Sequence, residues 1–194
     1  MKKQGLLFII SGPSGSGKTT LAEEILKQDA LRGRIKKSIS FTTRLKRLGE
    51  LDRKDYFFIR EEQFKELKQA KKILESTKYL GYYYGTPKPF VDSRLEKAGH
   101  ILLCVDLKGV ARLRRLYPQN SVTIFVMPPS ISELRHRIEK RCDKITKGEI
   151  AKRLKLAEKE ILAVDKFDYC IVNKHLGQAI RELKTVIINE LHNN

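Results

Sequence analysis

The segment Gly12-Pro13-Ser14-Gly15-Ser16-Gly17-Lys18-Thr19 satisfies G-x-x-x-x-G-K-[ST] at every fixed position. It follows the apolar run Leu6–Ile10 and precedes a stretch of helical period beginning near Thr20. That order, strand then glycine-rich loop then helix, constrains the fold more than any other feature of the chain. Glycines let the backbone curl so that successive N–H groups face one anion, and the helix N-terminus adds its positive end. Gly12, Pro13, Ser14, Gly15, Ser16, Gly17, Lys18, Thr19 and Thr20 are the expected cradle for a nucleotide's phosphates. Lys18 is placed for the β/γ-phosphates and Thr19 offers its hydroxyl to Mg²⁺.

Beyond the loop, short apolar runs alternate with longer stretches of helical period, the pattern of βαβ units on a parallel sheet covered on both faces. Five core strands are expected, at Leu6–Ile10, Ile35–Ser40, Ile101–Asp106, Val122–Met127 and Tyr169–Val172. Between Thr42 and Tyr84 the texture changes to charged turns, the run Tyr56-Phe57-Phe58, a helical stretch near Glu61–Gln69, and Tyr82-Tyr83-Tyr84 flanked by glycines. This predicts a small inserted α+β lobe at residues 41–84. The core takes residues 1–40, 85–134 and 160–194, and residues 135–159 form a basic helical lid turning at Cys142–Gly148. Ser132 is the expected cap of the first lid helix. At 194 residues the chain suits one domain.

The formal charge of +17 attracts polyanions without choosing among them. Lys and Arg are interspersed with Glu along expected helices, which fits a solubilising surface, and no helix-turn-helix, zinc or RNP-type motif accompanies them. Binding to duplex DNA is therefore expected to be weak, indifferent to sequence and salt-sensitive. Cys104, Cys142 and Cys170 are odd in number and far apart, which points to a reducing, cytoplasmic setting rather than to disulfides. No apolar run reaches secretory or transmembrane length. His100, His136, His175 and His192 lack partners at metal-ligand spacing and read as structural or surface residues.

The phosphate loop alone leaves GTPases, motor ATPases and small kinases open, so the acceptor side must discriminate. The run Ile101-Leu102-Leu103-Cys104-Val105-Asp106 ends in a carboxylate that serves either a Mg²⁺ shell or the cap of the next helix. Arg44 and Arg47, with Tyr56 nine residues on, supply two guanidinium forks and a phenol, a clamp for a phosphate monoester. With Glu75, the run Gly81-Tyr82-Tyr83-Tyr84-Gly85-Thr86, Asp106 and Ile171-Val172-Asn173, the chain resembles the guanylate kinase family along nearly its whole length.

The resemblance implies a P-loop kinase fold, ATP and GMP as partners, and Mg²⁺ as cofactor. It assigns Arg44, Arg47, Tyr56 and Tyr84 to the GMP phosphate, with Ser40, Glu75 and Thr86 at the guanine and Glu50 and Asp106 in the same site. Asp106 would reach Mg²⁺ through water. Arg137, Arg141 and Arg153 correspond to the lid arginines that act in catalysis with Lys18, and Asn173 to the residue beside adenine. Three departures stand out: Cys104 where the family carries an acid, the longer turn Arg141-Cys142-Asp143-Lys144, and Leu45 and Leu48 where prolines are common. The alternatives are another P-loop kinase with a different phosphorylated acceptor, a non-catalytic interaction domain of the same shape, and a nucleic-acid-binding protein. The first does not need Glu75, the second would not keep Lys18 and Thr19, and the third lacks a motif.

Overall fold

The structure is a computed structural model that describes residues 4–141 and 146–194, with Arg141 described by its backbone alone. The expected lid turn after Arg141, including Cys142, and the side chain of Arg141 lie outside the described residues. Along the chain the core elements are β1 (Leu7–Ser11), α1 (Lys18–Leu26) and β2 (Ile35–Lys37). The lobe contributes β3 (Phe41–Thr42), β4 (Phe57–Phe58), α2 (Glu61–Gln69), β5 (Ile73–Tyr79) and β6 (Tyr82–Pro87). Then follow α3 (Lys88–Glu96), β7 (His100–Cys104), α4 (Leu107–Leu116), β8 (Ser121–Met127), α5 (Ile131–Arg141), α6 (Lys147–Ile161), β9 (Tyr169–Val172) and α7 (Leu176–Asn193).

The five expected core strands form one parallel sheet in the order β2-β7-β1-β8-β9. Side chains alternate across a strand, so β1 serves two cores at once. Phe8 and Ile10 join Leu21, Ile25, Ala179 and Leu183 under α1 and α7, while Leu7 and Ile9 join Val91, Leu95, Val110 and Leu113 under α3 and α4. Both faces are apolar, hence the unbroken hydrophobic runs. The bounds differ in two places that matter. β2 ends at Lys37, leaving Ser40 in the connection to the lobe, and β7 ends at Cys104, leaving Asp106 off the strand as the cap of α4.

The lobe carries its own sheet, β4-β3-β6-β5. Its hairpin β5–β6 turns at Leu80-Gly81, both at positive φ, the geometry that matches strand twist in a two-residue connection. The second sheet runs on to Pro87, past the boundary expected after Tyr84. Helices α5 and α6 pack on each other through Leu134, Ile138, Ile150, Leu154 and Ala157, a small core of their own. The cap of α5 is Ser130, whose Oγ accepts the Glu133 N–H at 3.0 Å, and not Ser132, because the helix starts two residues earlier than that cap implies, at Ile131. Among the described residues no helix is long and apolar enough to cross a membrane.

Candidate active site

The loop after β1, the cap residue after β7 and the residue after β9 all lie at the carboxyl edge of the parallel sheet, where open α/β sheets bind ligands. There a cleft of about 740 Å³ opens between the phosphate loop, the lobe and the two basic helices. Helix α1 begins at Lys18, two residues before the expected start near Thr20, because Gly17 takes a left-handed conformation (φ +94°) and turns the chain directly into it. A β-carbon at Gly17 would lie 2.2 Å from Asn173 Nδ2, and one at Gly12 would lie 2.3 Å from the Val126 carbonyl oxygen. Both positions demand glycine. Lys18 Nζ donates to the Gly12 and Pro13 carbonyls at 2.5 and 2.8 Å, arching over the loop.

Asn173 is buried, and its carboxamide donates to the Ser16 carbonyl at 2.8 Å while its main-chain carbonyl accepts from Arg137 Nη2 at 3.1 Å. It therefore braces the loop as well as lining the cleft. Ser16 is fully buried beneath the loop and, like Pro13, does not line the cleft, whereas Thr19 and Thr20 do. From α6, Arg153 is held by Glu149 one turn earlier and directs Nη1 toward Ser14 Oγ at 3.4 Å. From α5, Arg137 Nε donates to Glu133 at 2.9 Å.

Across the cleft, Arg44 is 9% exposed and donates both terminal nitrogens to Glu50, at 2.9 and 2.8 Å. Its guanidinium also lies over the rings of Tyr56 (5.4 Å) and Phe58 (5.7 Å). Glu50 takes the Arg47 N–H as well, at 2.8 Å, so one carboxylate sets the arginine pair. The Glu50 carboxyl sits below its ordinary range: burial alone would raise it, and Arg44 with the Arg47 N–H outweighs that. Tyr56 and Tyr84 meet edge to face, their centroids 6.0 Å apart. Ser40, Arg44, Arg47, Glu50, Tyr56, Glu75, Tyr84 and Asp106 all line the cleft.

Glu75 is 8% exposed, and Thr86 Oγ1 donates to its Oε1 at 2.6 Å. Thr86 itself is fully buried behind Glu75 and off the cleft surface. Burial, reinforced by nearby Asp106 and only partly offset by Thr86, pushes the Glu75 carboxyl up to about 7. Asp106 Oδ1 accepts the Gly109 N–H at 2.8 Å, so its cap role holds while it still faces the cleft. Burial pushes the Cys104 thiol up to about 11, so this substitute for a family acid is neutral. His100 is structural, its Nδ1 accepting the Leu6 N–H at 3.0 Å.

Tyr79 and Glu160 are among the cleft residues that the sequence reading missed. Tyr79 reaches in from β5, a tyrosine indistinguishable in sequence from its packing neighbours. Glu160 lies on α6 with its carboxyl pushed up to about 7, mainly by burial, with Asp106 adding and Lys18 opposing. Its signal was available: it stands seven residues after Arg153, two helical turns on and so on the same face.

The guanylate kinase family model matches residues 4–190. The chain is 42% identical to a guanylate kinase from Caldanaerobacter subterraneus subsp. tengcongensis, over 98% of this chain and 90% of that one. It is 38% identical to a guanylate kinase from Wolbachia pipientis wMel, with coverages of 98% and 92%. The crystal structure of a guanylate kinase from Anaplasma phagocytophilum superposes with a TM-score of 0.80 at 30% identity, covering 98% of this chain and 88% of the other. A gluconokinase from Sinorhizobium meliloti 1021 is 14% identical with a TM-score of 0.53, a likeness of fold alone.

Proposed function

Because the chain belongs to the guanylate kinase family and transfers a phosphoryl group from ATP to GMP, we propose how its own residues divide that work. ATP phosphates rest on the loop from Gly12 to Thr20, with Lys18 drawn from the loop carbonyls toward the β/γ-phosphates and Asn173 bracing the loop beside the adenine. Arg44, Arg47, Tyr56 and Tyr84 receive the GMP phosphate on a clamp that Glu50 has already oriented. Ser40 and Glu75 face the guanine, and Thr86 acts through Glu75. Residues 41–84 thus act as the acceptor lobe and 135–159 as the lid on a single kinase domain, which works on cytoplasmic nucleotides and takes no specific nucleic acid.

The acceptor phosphate, with its second pKa near 6, is mostly dianionic at neutral pH and needs no general base. Catalysis is then alignment of the two nucleotides for in-line transfer and neutralisation of the charge between them. Lys18, Arg137, Arg141 and Arg153 supply that charge. For Mg²⁺ the residues fit: Thr19 and Asp106 both line the cleft and are hard oxygen donors. Thr19 would ligate the ion and Asp106 would hold one of its waters. When bound, Mg²⁺ would supply positive charge to offset that of the phosphates.

The observation that carries the base assignment is the buried Glu75 carboxyl opposite the phosphate loop, one oxygen held by Thr86. Guanine offers an N1–H and an exocyclic amine side by side, and a carboxylate can accept both. Adenine presents a lone pair at N1 instead. Glu75→Gln should lower kcat/KM for GMP by roughly 10²-fold and shrink the GMP/AMP preference, with KM for ATP nearly unchanged. A coupled assay with GMP, dGMP, AMP, UMP and CMP reads this directly. An unchanged GMP/AMP ratio would remove Glu75 from base recognition.

A further inference from the structure

The Thr86 hydroxyl accounts for one oxygen of Glu75, Oε1. The other, Oε2, lies against the first turn of α4, where Gly109 is buried and donates its N–H to the Asp106 cap at 2.8 Å. A β-carbon at Gly109 would stand 3.0 Å from Glu75 Oε2 and 2.8 Å from Val105 Cβ. The Val105 contact is closer than real side chains show, and the Glu75 contact is tight enough that the carboxyl must give by a few tenths of an ångström. Glycine is a poor helix former, so its place in a first turn needs a reason outside the helix. The reason here is occupancy: Val105 on one side and the Glu75 carboxyl on the other fill the volume that a methyl group would take. The helix cannot simply retreat, because α4 packs against β5, which carries Glu75, and the Asp106 cap fixes the turn.

We propose that Gly109 is a specificity-positioning residue of the transfer reaction. Its bare backbone lets the Glu75 carboxyl withdraw against the end of α4, and that depth sets where the remaining lone pairs meet the acceptor base. Thr86 sets the carboxyl's rotation and Gly109 its retreat. This rests on the reading of Glu75 as the guanine-binding residue. A carboxyl displaced by the new methyl group meets the two donors of a 2-amino-6-oxopurine out of plane. It can still meet one.

Gly109→Ala should therefore raise KM for GMP about tenfold, leave KM for ATP within about twofold, and narrow the preference for GMP over IMP, which lacks the 2-amino group. The decisive comparison is a double-mutant cycle with Glu75→Ala. With no carboxyl to displace, Gly109→Ala should change KM for GMP less than about twofold in that background. If it still multiplies KM about tenfold there, the damage runs through Val105 or the helix, and the proposal is overturned. Wild-type GMP kinetics in Gly109→Ala alone overturn it equally. Glu75→Ala by itself separates the two failures. If it leaves GMP kinetics untouched, base recognition lies elsewhere and the proposal falls with that reading; if it raises KM while Gly109→Ala does not, the proposal falls alone. Should Gly109→Ala not accumulate as folded protein, the same cycle is run with Val105→Gly added, which removes the β-carbon that the new methyl meets at 2.8 Å.

Discussion

Lys18 holds its ammonium on the carbonyls of Gly12 and Pro13, so the charge stands over the loop before any phosphate arrives. Its Cα belongs to the first residue of α1 and its side chain to the cleft, which separates its chemistry from the core. Lys18→Ala should then lower kcat by on the order of 10³-fold, the scale of losing one preorganised charge at a transition state. The thermal unfolding curve should stay where it was. Turnover near the wild-type value would contradict the phosphate-loop assignment, and a collapsed melting temperature would show the lysine to be structural. Arg44 illustrates the opposite arrangement: buried, stacked on two rings and doubly bonded to Glu50, it is held in place before substrate binds.

At the scale of elements, α5 and α6 share a small core and present Arg137 and Arg153 to one side of the cleft. Arg137→Ala and Arg153→Ala should each lower kcat by roughly 10–10²-fold while KM for GMP moves little, because their phosphate partners assemble only in the closed complex. Steady-state kinetics at saturating ATP give that split, and wild-type kcat in both variants would return the arginines to a solvated helix face. The core strands were legible in sequence because both sheet faces are buried and the runs are unbroken. β3 and β4 were not, since two-residue strands have no period and exist only by pairing with β6 and each other. The phosphate loop was legible because its residues are consecutive. The support behind Glu75 was not, because Thr86 reaches it across a hairpin and Gly109 across a helix packing, neither of which has a spacing in sequence. Ser132 is the expected cap of α5, and only the helix start at Ile131 moves that role to Ser130.

For the whole molecule, the +17 charge is not concentrated in the cleft, where Glu23, Glu50, Asp55, Glu75, Asp106 and Glu160 stand among Lys18, Arg44, Arg47, Arg137, Arg153 and Lys174. The positive excess belongs to the outer surface, and the cleft instead holds carboxyls in poor contact with water. Glu75 and Glu160 are both pushed from an ordinary 4.5 to about 7, burial being the main cause and Asp106 adding to each. A carboxyl raised on folding binds its proton more tightly in the native state. Its stabilisation is therefore complete below about 4.5 and is lost as pH rises through about 7. The nucleotide-free protein should lose stability across that window because two carboxyls must ionise in the cleft. The double variant Glu75→Gln/Glu160→Gln cannot ionise there and should gain on the wild type with rising pH, the difference levelling off above about 8. Glu50, held low by Arg44, contributes with the opposite sign, but it is common to both proteins and cancels. Melting temperatures at matched ionic strength between about pH 5 and 8.5 test this, since other carboxyls titrate alike in the two proteins. Parallel curves would mean that water reaches both groups and holds them at their ordinary values. If the curves diverge as expected, adding GMP should reduce the divergence, because in the proposed pose its donors favour the ionised form of Glu75 and draw its proton off at lower pH.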